Sequence, residues 1–181
     1  MSVLGDLARL SIGELEEIRR LRVADAYDRL ADFDPVRRLD LDRDWRRLAA
    51  LTDAAGFPVN PITGGSLFPD ERRAWGDEIR SRHLNVDEVA QGAEHLNRVP
   101  FDLLVPHMRA VLDAEDGQHV DLDPSSPDYL KSIALPKGGR IAIPDEVVHD
   151  AAQVVGERYH GLVAFFDAAA RHNQCTVFWA G

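Results

Sequence analysis

The sequence contains a single cysteine, Cys175, among its 181 residues. An intramolecular disulfide is therefore impossible, which fits a protein of the reducing cytosol. No apolar stretch approaches the ~20 residues that a membrane-spanning helix requires. The N-terminus also lacks the basic segment and apolar run that mark a signal peptide. These absences predict a cytoplasmic protein that does not associate with membranes.

The sequence also lacks the short motifs that mark metal sites and nucleophilic enzymes. It has no HExxH pair, a single cysteine excludes CxxC, and no two of its 7 histidines lie three or four residues apart. The segment at residues 64–68 (GGSLF) begins like a nucleophile elbow, but Phe68 stands where the final glycine is required. We therefore predict no catalytic residue, no bound metal ion and no cofactor.

Positive charge is scarce relative to negative charge. The chain has 21 Lys and Arg against 31 Asp and Glu, so its formal net charge is -10. An acidic protein is repelled by the phosphate backbone, and we predict no nucleic-acid partner. The same charge would suit a basic protein partner, and it also keeps a protein in solution.

Hydrophobic spacing and capping residues predict about five helices. Ser11 and Asn85 each precede a glutamate by three residues, the pattern of a capping box. The predicted helices run from Ser11 to about residue 32, from about Arg43 to Ala55, from Asn85 to Val99, from about Asp102 to Asp113, and from about Asp145 to His172. The last is the longest, and Asn173 is suited to end it in a left-handed turn.

Few segments have the residue types of strands. Residues 2–10 and the pair Val59 and Ile62 allow short strands, and residues 175–179 (CTVFW) predict a final buried one. A length of 181 residues is typical of one domain, spanning residues 1–181. The predicted fold is therefore α+β, with the helices packed around a small mixed sheet and the long C-terminal helix followed by the final strand.

The most distinctive local pattern is the LDLDRDW block at residues 39–45. If this segment is extended, Asp40 and Asp42 point to the same side and can share a proton or bind a cation. With Trp45 and the pair Gly64 and Gly65, they form our candidate ligand-binding set. A structural explanation is also open, in which an aspartate caps the following helix and the tryptophan packs in the core.

Other acidic and aromatic residues allow the same two interpretations. The segment from Glu115 to Asp128 reads as an acidic loop, and within it Asp121 and Asp123 are either a second carboxylate pair or solvated loop residues. Trp75 lies among charged residues and is a candidate for an exposed contact.

The block resembles a signature of the YfbM-like proteins, a bacterial family of unknown function. Its residues are similar to the family pattern Leu-Asp-hydrophobic-Asp-Lys/Arg-x-Trp. The family commonly continues with Leu-His-Phe and Leu-Thr-Gly, where this chain has LAA at residues 48–50 and LTD at residues 51–53. Any role of that histidine is therefore absent here. The resemblance implies an α+β fold with helices around a small sheet, and no activity.

Two functional hypotheses remain from the sequence. The first is a cytosolic, non-enzymatic binding protein, such as an immunity-type protein that neutralises a basic toxin. The second is an enzyme or a small-ligand sensor with a pocket near the LDLDRDW block. The missing catalytic motifs and the acidic composition favour the first hypothesis.

Overall fold

Six α-helices and five β-strands make up the part of the chain that the computed structural model describes, residues 4–68, 81–116 and 143–180. The strands are β1 (Gly5–Leu10), β2 (Arg38–Asp42), β3 (Ser66–Leu67), β4 (Arg82–Leu84) and β5 (Cys175–Ala180). The helices are α1 (Ile12–Arg19), α2 (Val23–Ala31), α3 (Trp45–Ala54), α4 (Val86–Arg98), α5 (Val105–Asp116) and α6 (Asp145–Arg171). Short 3-10 helices lie at Pro35–Arg37 and Phe101–Leu103. The predicted α+β class is confirmed.

The five strands form one sheet in the order β2-β1-β5-β4-β3. Every pairing in it is antiparallel, so the expected mixed sheet was wrong in this detail. A local pattern of apolar residues identifies a strand but carries no information about the direction of its neighbour. The last of the described strands, β5, lies at the centre between β1 and β4.

Helices cover both faces of the sheet. Leu7, Leu41 and Phe178 belong to a core formed with α3, α4, α5 and α6. Ala8, Leu10 and the alternate residues of β5 belong to a second core formed with α1 and α2. Successive side chains of a strand point to opposite faces, so β1 and β5 contribute to both cores. This explains why β5 is buried along most of its length.

The first predicted helix is two helices in the structure. Arg20 caps the end of α1 and Arg22 precedes α2, so the chain turns at residues 20–22. The apolar positions between residues 15 and 30 repeat every three residues. Because an α-helix turns by about 100° per residue, such a repeat drifts by about 60° at each step. One straight helix would rotate part of this set away from the sheet. In the two short helices Leu15, Ile18 and Leu30 are buried, whereas Leu21 lies in the turn between the helices and is 39% exposed.

Several predicted boundaries agree closely with the structure. Both capping boxes form, at Ser11 with Glu14 and at Asn85 with Glu88. The helix α6 is followed by Asn173 with φ of 50°, the predicted left-handed turn. Its 27 residues make it the longest described helix. Neither α6 nor any other helix in the described ranges combines the length and apolarity needed to cross a membrane.

The segment after α3 differs from its predicted form. Val59 and Ile62 lie in turns, and the strand of this region is the two-residue β3 further along the chain. The side chain of Asn60 explains the turns, because it accepts hydrogen bonds from the backbone amides of Ile62 and Thr63. Trp75, Asp121 and Asp123 lie outside the described residues, as does most of the acidic loop. Glu115 lies in α5, which continues beyond its predicted end to Asp116.

Candidate functional site

The LDLDRDW block forms the edge strand β2 and the turn that leads into α3. Asp40 and Asp42 lie in β2, which is at one edge of the sheet, and Trp45 is the first residue of α3. The pairing with β1 shifts by one residue, because Asp6 lies opposite Asp40 whereas Gly5 lies opposite Asp42. Leu41 therefore has no partner of its own, and its side chain is fully buried in the core. The strand bends at this bulge toward the helix.

The two aspartates shape this turn. The carboxylate of Asp40 accepts a hydrogen bond from the backbone amide of Asp42 at 2.7 Å. Asp42 has a φ of 50°, in the left-handed region that aspartate tolerates better than most residues. Neither aspartate caps α3, so that expectation was wrong. The N-cap position belongs to Asp44, which lacks a side-chain capping hydrogen bond.

An arginine of α6 closes the outer side of the block. Arg158 donates a hydrogen bond from Nη1 to the carbonyl oxygen of Asp40 at 3.2 Å, and its Nη2 lies 3.9 Å from a carboxylate oxygen of Asp42. An edge strand presents unpaired amide and carbonyl groups that can recruit a foreign strand. Here the Asp42 amide and the Asp40 carbonyl are both occupied from within the chain. These contacts leave two fewer backbone groups of β2 available to a foreign strand.

Trp45 packs in the core. It is 8% exposed, and its ring centroid lies 5.1 Å from that of Phe178 in the central strand. Gly5 lies directly beneath it, and a Cβ added there would come within 2.5 Å of Trp45 Cδ1. Arg46 covers another part of the indole, with its guanidinium carbon 5.2 Å from the ring centroid. The signature tryptophan thus joins α3 to the sheet.

Asp44 and Arg47 extend the block into an ion-pair network. Arg47 donates to Asp44 at 3.2 Å and pairs with Glu115 of α5 at 3.0 Å. The hydrogen bonds that Arg47 donates to the Glu115 carboxylate raise the pKa of Arg47 above its usual value. This network connects the start of α3 to the end of α5. The carboxylates of Asp44 and Glu115 are both paired with Arg47.

Gly64 and Gly65 meet a structural requirement at the other edge of the sheet. A Cβ at Gly64 would lie 2.4 Å from the carbonyl oxygen of Asn60. Gly65 has a φ of +73° and a Cβ there would lie 2.2 Å from the carbonyl oxygen of His83 in β4. Only glycine fits either position without displacing backbone. Both residues therefore allow the loop to approach the sheet closely.

The structure does not bring the five candidate residues into one place. Asp40 and Asp42 lie at the β2 edge, whereas Gly64 and Gly65 adjoin β3 at the opposite edge. Four strand spacings separate these edges, which corresponds to roughly 19 Å. Trp45 lies in the core between α3 and the sheet. A single small ligand would not contact all five residues.

A carboxylate pair that sequence reasoning missed lies next to the block. Asp6 in β1 is directly opposite Asp40 in β2, so the two side chains share a face of the sheet. Burial raises the pKa of Asp6, and the charge of Asp40 adds to this effect. Arg38 offsets it through a contact of 3.3 Å with the Asp6 carboxylate. The alternation in GDLARL could have revealed that Asp6 faces away from Leu7, but not which residue lies opposite.

A buried histidine is the second missed feature. His83 in β4 is 8% exposed, and its Nδ1 atom has no hydrogen-bond partner. It lies opposite Val177, on the face covered by α1 and α2, and its ring contacts Phe68 at a centroid distance of 6.4 Å. Burial lowers the pKa of His83, and the positive charge of Arg19 lowers it further. Within the described ranges, no group of three His, Cys, Asp or Glu residues could hold a metal ion.

Negative charge is unevenly distributed over the molecule. Residues 4–68 contain twelve acidic and ten basic residues, which nearly balance. The ranges 81–116 and 143–180, which include α4, α5 and α6, contain twelve acidic and five basic residues. Exposed members of this group are Asp87, Glu94, Asp102, Asp145, Glu146, Asp150 and Glu157. Among the described residues, α4, α5 and α6 thus carry an excess of negative charge.

Comparisons with known proteins agree with the architecture. Residues 1–131 match a family model described as a domain of unknown function (DUF1877). The fold is similar to the crystal structure of YfbM, a protein of unknown function from Escherichia coli, with a TM-score of 0.58 and 12% sequence identity. That match covers 98% of this chain and 99% of the other, and at this identity it shows the fold alone. No curated protein matches the chain. The chain therefore belongs to the DUF1877 family, the YfbM-like proteins of unknown function.

Proposed function

We propose that this protein is a cytosolic, non-enzymatic binding protein whose partner is a basic protein. The observation that carries the proposal is the excess of acidic over basic residues in the described ranges 81–116 and 143–180, which include α4, α5 and α6. A surface of one sign steers an oppositely charged partner toward it and raises the association rate. An immunity-type protein that neutralises a basic toxin has this property.

The roles of the LDLDRDW block support binding over catalysis. Asp40 bonds a backbone amide and Asp44 pairs with Arg47. Trp45 is buried against Phe178. These side chains already have partners within the chain, whereas a catalytic or ligand-binding group must be available to a substrate. The alternative function, an enzyme or small-ligand sensor at the block, therefore has less support from the geometry.

Substitution of Asp42 separates the two functions. A residue other than glycine in the left-handed region costs about 1–2 kcal/mol, so we expect Asp42→Ala to reduce the free energy of unfolding by about 1 kcal/mol. Asp42→Gly should retain or increase stability, because glycine adopts this φ without a penalty. Urea unfolding measures both effects. Loss of partner binding in a stable Asp42→Gly variant would instead show that the block takes part in the binding site.

Affinity capture tests the main proposal. The immobilised protein is exposed to a lysate of its source organism at low salt and then eluted with about 1 M salt, where the Debye length falls to about 3 Å. We expect one basic protein to be retained specifically and released by salt. The purified partner should then bind with a 1:1 stoichiometry in calorimetry. If no basic protein is retained, or if the captured protein binds independently of salt, the proposal is wrong.

A further inference from the structure

The first half of α6 presents two adjacent stripes of exposed side chains. Val147 and Val154 are each 50% exposed. They are seven residues apart, two helical turns, and so lie on the same side of the helix about 10 Å apart. The buried residues Ala152, Val155 and Tyr159 lie on a different side of the helix.

An acidic stripe runs beside the apolar one. Glu146, Asp150 and Glu157 are all exposed, and their spacing of four and seven residues also places them on one side of α6. None of the three forms an ion pair with another described residue, unlike Asp145, which pairs with Arg109. Three carboxylates without an ion-pair partner in the described part of the chain thus border two exposed valines.

The same side of α6 packs against the protein further along the helix. Gly161 continues the seven-residue repeat of Val147 and Val154, and a Cβ added there would lie 3.4 Å from a methyl group of Leu39 in β2. Arg158, one turn earlier, contacts Asp40 and Asp42 of the same strand. This side of the helix is therefore a packing surface whose C-terminal part is covered by β2. Its N-terminal part retains exposed apolar side chains.

We propose that this surface, defined by Val147, Val154, Glu146, Asp150 and Glu157, binds an amphipathic basic helix of the partner protein. The inference rests on the proposed function and names the surface and the chemistry of the partner. Valines two turns apart fit apolar side chains at matching spacing on a second helix. The acidic stripe fits lysine or arginine at the flanking positions. A second copy of the chain does not fit, because it would place the same carboxylates against one another.

Two triple variants with equal changes in net charge provide the test. Glu146, Asp150 and Glu157 are replaced with lysine in the first variant. In the control, Glu16, Glu17 and Asp28 are replaced with lysine, since these residues are exposed on α1 and α2 and form no ion pair among the described residues. The probe is a synthetic amphipathic peptide of leucine and lysine, about 18 residues long so that it can form a helix. Binding is measured by fluorescence anisotropy, with a leucine and glutamate peptide as the negative probe.

We expect the wild type to bind the basic peptide and not the acidic one. Replacement of the three α6 carboxylates with lysine should weaken binding by about tenfold or more, because three favourable charge contacts become unfavourable. The control should change affinity by less than about threefold, the effect of net charge alone. The double variant Val147→Ser and Val154→Ser should also weaken binding, and this loss should persist at about 1 M salt.

Equal weakening by the two triple variants, or no effect of the valine substitutions, would overturn the assignment of this surface. Failure of the wild type to bind the basic peptide would also overturn it.

The captured partner then distinguishes the two proposals. If the partner binds the α6 variant as tightly as the wild type, only the surface is wrong. If no salt-sensitive basic partner exists, the proposed function itself is wrong. Circular dichroism confirms that each variant is folded.

Discussion

At the scale of single residues, the contact between Gly5 and Trp45 is the most restrictive in the block. A Cβ at Gly5 would lie 2.5 Å from Trp45 Cδ1 and 2.9 Å from its Cβ, so the whole side chain would have to move. We expect Gly5→Ala to reduce the free energy of unfolding by about 1–3 kcal/mol, the usual cost of overpacking. Urea unfolding followed by tryptophan fluorescence measures the change.

Gly13 is the matched control for this substitution. It lies in α1, and no atom is within 4 Å of a Cβ added there. Gly13→Ala should leave stability unchanged or increase it by up to about 1 kcal/mol, because alanine favours helix. Equal losses in the two variants would show that the contact with Trp45 is not the cause.

His83 makes stability depend on pH. Because burial lowers its pKa below the usual 6.5, the unfolded state binds a proton more readily than the folded state. The stability that the neutral ring contributes is therefore present above pH 6.5 and is lost as the pH falls below that value. We expect His83→Phe to remove part of the decrease in unfolding free energy between about pH 7 and 5. His172→Gln, at an exposed position after α6, is the control, and an equal effect of both substitutions would contradict this role of His83.

At the scale of elements, Glu14 anchors α1 to the connection between α2 and β2. It completes the capping box with Ser11 and accepts two hydrogen bonds from Arg37, at 2.9 and 2.6 Å. These bonds lower the pKa of Glu14 from 4.5 to about 2. The carboxylate therefore contributes stability that is complete above pH 4.5 and is lost as the pH falls toward 2.

Replacement of this glutamate tests the anchor. We expect Glu14→Gln to lower stability at pH 7 and to have a smaller effect at pH values near 2, where the wild-type carboxylate is also neutral. Thermal unfolding across this pH range measures the difference. Glu17→Gln, on the exposed side of the same helix, should show no such dependence. A constant difference between wild type and Glu14→Gln at all pH values would contradict the proposed cause.

Elements that depend on local chemistry were predictable from the sequence. The capping boxes at Ser11 and Asn85 need only residues three positions apart, so they marked the starts of α1 and α4 correctly. The break between α1 and α2 was not predictable in this way, because it depends on packing against the sheet. The turns at Asn60 were missed for a related reason. The side-chain amide of Asn60 donates hydrogen bonds to Ala49 and Asp53 of the preceding helix, and the local sequence does not specify these contacts.

At the scale of the whole molecule, the order of strands decided which site predictions could succeed. The pattern around Asp40 and that around Gly64 each indicated a distinctive backbone, and both backbones are present. Their distance from one another depends on β1, β5 and β4, which lie between the two edges. No local pattern specifies that order. The pairing of Asp6 with Asp40 was hidden for the same reason, because it joins residues from different strands.

The central position of β5 predicts the effect of a C-terminal deletion. This strand pairs with β1 along six residues and with β4 along three, so it holds the two halves of the sheet together. We expect removal of residues 175–181 to abolish cooperative unfolding, because both halves would lose their inner edge and the two cores would be exposed. Removal of residue 181 alone should leave the transition intact. A cooperative transition in the larger deletion would show that the halves fold independently.

The place of β5 also determines when the protein can fold during its synthesis. The ribosome makes β1 long before β5, yet Gly5 pairs with Ala180. The edge of β1 that pairs with β5 must therefore remain unpaired until β5 has been made. Nascent chains with exposed strand edges are prone to aggregate and are recognised by chaperones. For this fold, the complete sheet forms only after β5 has left the ribosome.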